Sequence, residues 1–517
     1  MSDHLFDWYA LFVENFPIGT SLDVAFEGLA PESLWQQFDA IRRIPRASTN
    51  EEGVRSYLRA LADAQGWERD EDGAGNIVLR VPGRGAGEHS PALAIQGHMD
   101  MVCVKDDDRD HDFTSDPIEV SRSTVMVSGE SHMVVRAVGT SLGSDNAIGC
   151  CAGLALGLTP GLEHPPLELL FTADEETGMT GAANLDPALV RSRRLLNLDA
   201  EEHGSLYVSC AGGRDLVAEW DLPEIQLGEE WELVAFELFN LRGGHSGVDI
   251  DKGRANAAVE SLRLLRDVAG ELDGFAMRSI ESGGLSNAIP RFFRAEFWVL
   301  REDLVRCENY IRDFAEALMI RVSVTDPATE WEFQRVSSEE RDRAGVSPEA
   351  SVAIVRALAN IQDGVFAWSV VVDGLVETSS NLGVVRGDSQ HLRVELLSRS
   401  SVDEEVLRLQ NRMSSAFEHT GATVTFHGAY PGWVADPSNP LLRTAKQTYE
   451  AVFGEAAKVK AIHAGLECGI LGERLDGVDM LSFGPEIWNA HTTDEMVFVS
   501  SVSAFWSLLK ALARNLC

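Results

Sequence analysis

Three apolar runs, each ending in an acid or a histidine, constrain this chain more than any other feature. Leu93-Ala-Ile-Gln96 leads into Gly97-His98-Met99-Asp100, Leu167–Thr172 into Asp174-Glu175-Glu176, and Leu195–Leu198 into Asp199. Runs of this length and apolarity predict buried strands. They alternate with helix-like stretches as far as about residue 205, the pattern of an α/β domain with a largely parallel sheet. In open α/β sheets ligands lie outside the carboxyl ends of the strands. The three polar ends therefore predict one crevice.

Around that core the chain reads as an interrupted domain. Residues 1–30 form an N-terminal extension without an assignable role. A helix is predicted from Pro31-Glu32-Ser33, with Trp35, Phe38 and Ile41 at helical spacing, and another over Glu52–Gly66. After Ala211-Gly-Gly213 the character changes. Strands are predicted at Val234–Leu241, Phe275–Ile280, Phe292–Val299, Leu392–Leu397 and Ala422–Phe426, and helices at Arg254–Val268, Tyr310–Met319 and Val406–Ala416. These describe an α+β domain inserted over residues 212–429, between a first part of the α/β domain at 31–211 and a second at 430–517. The second part carries a predicted helix over Pro440–Phe453 and a strand over Met480–Phe483.

The polar strand ends have the composition of a metal site. Two histidines and several carboxylates suit a borderline divalent ion such as zinc. The i, i+2 spacing of His98 and Asp100 lets the carboxylate orient the imidazole through its second ring nitrogen. Asp145, in Gly143-Ser-Asp145-Asn-Ala-Ile-Gly149, opens an apolar helix. Alone it would be an ordinary N-cap. Beside a pair of metals it is the natural bridge, since paired ions about 3.5–4 Å apart need a shared carboxylate. The consecutive acids Asp174-Glu175-Glu176 repel one another and call for a cation if buried. Glu175 and Glu176 can divide the labour of general base and ligand. His491 lies in Ala490-His491-Thr-Thr-Asp494, and Glu201 and Glu202, just past Asp199, read as surface.

Bulk properties exclude other classes. The formal charge is −37, and only six of the 44 basic residues are lysine. Such a surface repels polyanions, so neither nucleic acid nor an anionic membrane is expected as a partner. Seven unevenly spaced cysteines do not make a disulfide framework, and Cys150 and Cys151 read as small core residues. There is no apolar run of membrane-spanning length, and Met-Ser-Asp-His does not open a signal peptide, so a cytoplasmic location is expected. No Gly-x-Ser-x-Gly elbow supports a serine hydrolase.

Ten strings, in order, resemble one family. They are Gly97-His-Met-Asp100, Thr140-Ser-Leu-Gly-Ser-Asp-Asn146, Asp174-Glu-Glu-Thr-Gly178, Asn197-Leu-Asp-Ala-Glu-Glu202, Cys210-Ala-Gly-Gly213, Gly243-Gly-His-Ser-Gly247, Ser286-Asn-Ala-Ile-Pro290, Ser379-Ser-Asn-Leu-Gly383, His463-Ala-Gly-Leu-Glu-Cys-Gly469 and Ser482-Phe-Gly-Pro485. From about Leu29 onward the chain is similar to the bacterial Xaa-His dipeptidases of the two-zinc exopeptidase superfamily, which also holds carnosinases, tripeptidase T and aminoacylases. The resemblance implies a zinc-exopeptidase-like α/β catalytic domain, with a mostly parallel sheet, interrupted by an α+β lid and dimerisation domain. It implies a metal-dependent dipeptidase that takes small peptides, including Xaa-His, and forms a homodimer.

It also implies roles residue by residue. His98, Asp145 and Asp199 hold one metal, and Asp145, Glu176 and His491 the other, with zinc expected and manganese or cobalt as substitutes. Asp100 orients His98, Glu175 is the general base, and His245 stabilises the oxyanion. Asn287, Arg399 and Gly465 bind substrate, and Arg393 lies close enough in sequence to compete with Arg399 for the terminal carboxylate. One segment departs from the pattern: relatives carry a proline before the His491 position and Ser-Pro after it, where this chain has Ala490 and Thr492-Thr493. An aminoacylase or tripeptidase of the same superfamily is the alternative reading. A silent binding protein is disfavoured because no ligand and no base is missing.

Overall fold

The computed structural model describes residues 22–336, 342–370, 372 and 374–517, and the chain divides into two compact units. The first comprises 1–208, 435–460 and 467–517; the second comprises 209–434 and 461–466. The sequence reading placed these joins at 211/212 and 429/430. Of the expected N-terminal extension, residues 1–21 lie outside the described residues. The part from Asp23 onward belongs to the first unit's core. Phe26 stacks on Trp35 with ring centroids 5.5 Å apart, and Asp23 pairs with Arg42 at 2.8 Å.

The first unit is built on a sheet whose strand order is Glu68–Glu71, Ile77–Val81, Leu167–Thr172, Leu93–His98, Arg194–Asn197, Asp479–Ser482, Ser205–Cys210, Lys458–Ile462. The four strands from Leu167–Thr172 to Asp479–Ser482 run parallel, and antiparallel strands flank them. The parallel strands are buried throughout except at their first residues, as expected where helices cover both faces. The helix Ser144–Leu158 is apolar all round and correspondingly buried from Ser144 to Gly157. It packs against Leu93–His98 closely enough to require two glycines. A Cβ on Gly97 would meet Asn146 Oδ1 at 2.1 Å, and one on Gly149 would meet the Leu198 carbonyl oxygen at 2.4 Å. Cys150 and Cys151 are buried in this helix, and none of the seven cysteines is in a disulfide.

The second unit is an antiparallel sheet ordered Glu330–Arg335, Trp231–Phe239, Phe293–Leu300, Phe275–Ser282, Val376–Gly387, His391–Ser400, Gly212–Asp221, Thr423–Tyr430, with Gly364–Trp368 added beside Val376–Gly387. The apolar sides of the helices Ala257–Glu271, Leu304–Val322, Pro348–Ala359 and Asp403–Ser415 share one core with it. The expected strands and helices of residues 212–429 are all present, most of them longer than their apolar stretches. The central strand Val376–Gly387 and the first unit's hairpin, Val120–Val127 with Glu130–Ala137, were not expected.

Candidate metal centre

His98 ends a fully buried strand, and its ring is 1% exposed. Its Nδ1 faces Asp100 Oδ1 at 3.3 Å, and its Nε2 lies 3.1 Å from Asp145 Oδ1 and 3.3 Å from Asp199 Oδ1. Asp145 turns its other oxygen to His491, with Nε2 to Oδ2 at 3.1 Å. Glu176 Oε2 completes that side at 3.0 Å from the same nitrogen. One carboxylate thus presents one oxygen to each of two histidines. Five side chains from five segments of the first unit form two overlapping triads, His98–Asp145–Asp199 and Asp145–Glu176–His491.

This donor set fits divalent cations. No lysine or arginine pairs with Asp145, Glu176 or Asp199 among the described residues, and Glu176 Oε1 and Asp199 Oδ1 are buried without a hydrogen bond. Buried anions left in that state are costly unless a cation arrives. The titration pattern says the same. Burial opposes a charged His98, yet Asp199, Asp100 and Asp145 hold its pKa well above the ordinary value. Hydrogen bonds to Asp145 and Glu176 raise His491 to about 11. Burial pushes Asp199 up to about 7 and Glu175 well above the usual carboxylate range.

The surrounding groups aim the ligands. Asp100, fully buried, accepts from Ser48 Oγ at 2.8 Å and from the backbone N–H groups of Glu175 and Glu176, each at 3.1 Å. It therefore orients His98 and also fixes the turn that presents Glu175 and Glu176. Buried Arg46 donates to the carbonyls of Met99 and Asp100 at 3.1 and 2.8 Å, and also to that of Gly143. A second acidic group, Glu51, Asp100 and Asp174, is satisfied by the protein itself. Glu51 takes the N–H groups of Thr49 and Asp174, and Asp174 takes the hydroxyls of Thr177 and Thr180. Glu201 is exposed, and Glu202 is half-buried and paired with Lys460 at 2.5 Å.

Sequence reading missed a buried polar chain beneath the ligands. Gln96, Asn197 and Ser482 face one another across three adjacent parallel strands. Ser482 Oγ donates to Asn197 Oδ1 at 2.6 Å, and Asn197 Nδ2 to Gln96 Oε1 at 2.6 Å. Gln96 Nε2 donates in turn to Glu467 Oε2 at 2.5 Å, which also accepts from Thr172 Oγ1 at 2.7 Å. Burial pushes Glu467 up to about 7. Polar residues inside otherwise apolar strands were the available signal.

The second unit gathers its own polar cluster. His245 pairs with Ala288 across a two-residue ladder, and Nδ1 accepts the N–H groups of Gly247 and Val248 at 3.1 and 3.2 Å. Burial and nearby Arg399 lower its pKa to about 4. The ring is therefore neutral, with its hydrogen on Nε2. Arg399 is 4% exposed, bonds to Ser246 Oγ at 3.3 Å and to the Tyr430 hydroxyl, and has no carboxylate in salt-bridge range among the described residues. Arg393, by contrast, is half exposed and neutralised by Glu219 and Glu395, each at 2.7 Å. Asn287 is exposed and accepts the Ser246 N–H at 2.8 Å through its carbonyl. Gly465 follows His463, whose Nε2 meets Ser379 Oγ at 2.7 Å and whose pKa burial lowers to about 3.

Comparison with known proteins places these features in a context. Residues 94–515 match the model of peptidase family M20/M25/M40. The chain is 34% identical over 488 residues to the cytosol non-specific dipeptidase of Escherichia coli K12, covering 94% of this chain and 98% of that protein. It is similar in structure to the aminoacylhistidine dipeptidase of Vibrio alginolyticus, with a TM-score of 0.84, 34% identity and coverage of 94% and 97%. Aminopeptidase PepT of Bacillus cereus shares the fold at a TM-score of 0.52 and 15% identity, over 94% of this chain and 99% of that one.

Proposed function

The chain belongs to peptidase family M20/M25/M40, and from that premise we propose the reaction, substrates and residue roles that follow. It is a metal-dependent dipeptidase. The observation that carries the reading is the shared carboxylate: Asp145 gives one oxygen to His98 and the other to His491, each at 3.1 Å, and among the described residues no lysine or arginine pairs with it. His98, Asp145 and Asp199 hold one divalent ion, and Asp145, Glu176 and His491 hold the other, both zinc, with manganese or cobalt able to substitute. Ions so placed polarise the scissile carbonyl and make water acidic enough to be deprotonated near neutral pH.

The chain's own groups do the rest. Glu175 takes the proton of the attacking water and delivers it to the leaving amine nitrogen. Burial raises its pKa, and positive charge bound beside it would act in the opposite direction. The Nε2–H of neutral His245 donates to the oxyanion. Arg399 takes the terminal carboxylate of the peptide, helped by Asn287 and the Gly465 loop. Its lack of a carboxylate partner supports it over Arg393, which is already neutralised. The first unit is the catalytic domain, and the second is the lid and dimerisation domain of a homodimer. Substrates are small dipeptides including Xaa-His, and the enzyme works in the cytosol. No helix among the described residues is long and apolar enough to cross a membrane.

Hydrolysis of an Xaa-His dipeptide and several other dipeptides, before and after chelation and with zinc added back, tests this. Cleavage that disappears with chelation and returns with metal is expected. Cleavage unaffected by complete metal removal would overturn it, and faster turnover of N-acyl amino acids or tripeptides would move it to the alternative of the same superfamily.

A further inference from the structure

His491 is a ligand on an unpromising support. It lies on the surface stretch between the short strands Ile487–Trp488 and Met496–Phe498, its side chain is half exposed, and both it and Asn489 adopt left-handed backbone angles, φ +65° and +56°. A metal ligand contributes affinity only if its position is held by the surrounding structure. The local contacts within this turn are short-range: Thr492 Oγ1 donates to the Asn489 carbonyl at 2.8 Å, and the Glu495 N–H reaches the Thr492 carbonyl at 3.3 Å.

The stretch ends in a different kind of contact. Glu495 is 2% exposed and has no cationic partner among the described residues. Its Oε2 accepts the backbone N–H groups of Leu142 at 2.8 Å and Gly143 at 3.0 Å. Its Oε1 accepts the N–H of Ser144 at 2.7 Å and the Ser144 hydroxyl at 2.6 Å. These donors lead directly into Asp145, ahead of a kink at Asp145 and Asn146 where the backbone angles are not helical. A carboxylate brought from some 350 residues along the chain thus holds the turn that presents Asp145.

We propose that Glu495 is the positioning residue of the His491 metal position, clamping the segment that carries His491 onto the segment that carries the bridging Asp145. Five hydrogen bonds to the Glu495 carboxylate, the longest from the Asp145 N–H itself at 3.5 Å, fix the separation at which His491 Nε2 meets Asp145 Oδ2. His98 ends a parallel strand and Asp199 follows another, and neither touches this contact. Asp145, which both positions share, is held by it, so losing the clamp weakens the His491 position most and the other less.

The inference rests on the two-metal reading, and its test separates the two. Zinc is titrated calorimetrically into the metal-free full-length protein and its variants. Wild type is expected to bind two ions; binding of fewer would refute the two-metal reading itself. With wild type at two, Glu495→Gln is expected to weaken one site by about 10–100-fold, the scale of losses at groups that orient ligands, with a smaller loss at the other through the shared Asp145. His491→Ala should weaken the same site, and there the Glu495→Gln/His491→Ala pair should be no worse than His491→Ala alone. Equal weakening of both sites, unchanged binding, or additive losses would each overturn the proposal. If Glu495→Gln does not fold, Ser144→Ala, which removes a single hydroxyl donor, decides. A smaller loss, greatest at the same site, supports the clamp, and unchanged affinity at both sites overturns it.

Discussion

Glu175 and Glu176 are neighbours whose backbone N–H groups share Asp100, yet only Glu176 is paired with His491 among the described residues. In the proposed reaction Glu175 is the group left to move a proton. Replacing it by glutamine keeps its shape and removes its basicity. Turnover of a dipeptide should fall by about 10²–10⁴-fold, while metal analysis finds the same zinc content as wild type. A near-normal rate would remove Glu175 as the base, and loss of metal would make it a ligand. Among the arginines the residue scale is equally decisive. Arg393 and Arg399 are indistinguishable in a string of letters, and alternate strand positions do not separate them. They differ in what surrounds them: carboxylates for one, a serine and a tyrosine hydroxyl for the other.

At the level of elements, the parallel strands do more than carry ligands. Gln96, Asn197 and Ser482 stand in register, so the hydrogen bonds between their side chains run across the sheet just below His98 and Asp199. Asn197 is the hinge of this chain, since its Oδ1 also accepts the Asp199 N–H at 3.3 Å. Asn197→Leu keeps the volume and leaves Gln96 Oε1 and Ser482 Oγ without a partner in a dry interior. Each group so stranded costs about 1–3 kcal/mol. The midpoint of denaturant unfolding of the metal-free protein should drop accordingly. A change within about 0.5 kcal/mol, typical of an inert surface position, would show that the chain contributes nothing to the sheet. The strand Val376–Gly387 teaches the converse lesson. Its Thr-Ser-Ser-Asn-Leu-Gly stretch has neither apolar alternation nor β-branched density, yet it is a buried, central strand of its sheet. Small polar side chains suit it because they find partners there, as Asn381 does in the carbonyls of Ser286 and Ala288.

Over the whole molecule, charge dominates. A formal charge of −37 repels itself at low ionic strength, although many arginines pair locally with acids. Salt screens both effects, and the uncompensated excess is larger than the pairs. The melting temperature of the metal-loaded protein should therefore rise between low and molar sodium chloride, by roughly 2–4 °C for each kcal/mol of repulsion relieved. A flat or falling profile would mean that local pairs outweigh the net charge.

The letters alone pointed to three buried strands that end in acid or histidine and to a second α+β unit interrupting the first. Those facts follow from periodicity and from side-chain chemistry, which are local properties. The resemblance named the groups expected to converge, and the fold supplied the distances between them and the contacts that hold them. Asp145 could have been an ordinary helix cap, and becomes a shared carboxylate because His98 and His491 arrive on either side of it. Glu495 could have been a surface acid, and is instead buried against the backbone of residues 142–144. Sequence spacing carries no information about contacts between segments some 350 residues apart, because only tertiary packing sets those distances.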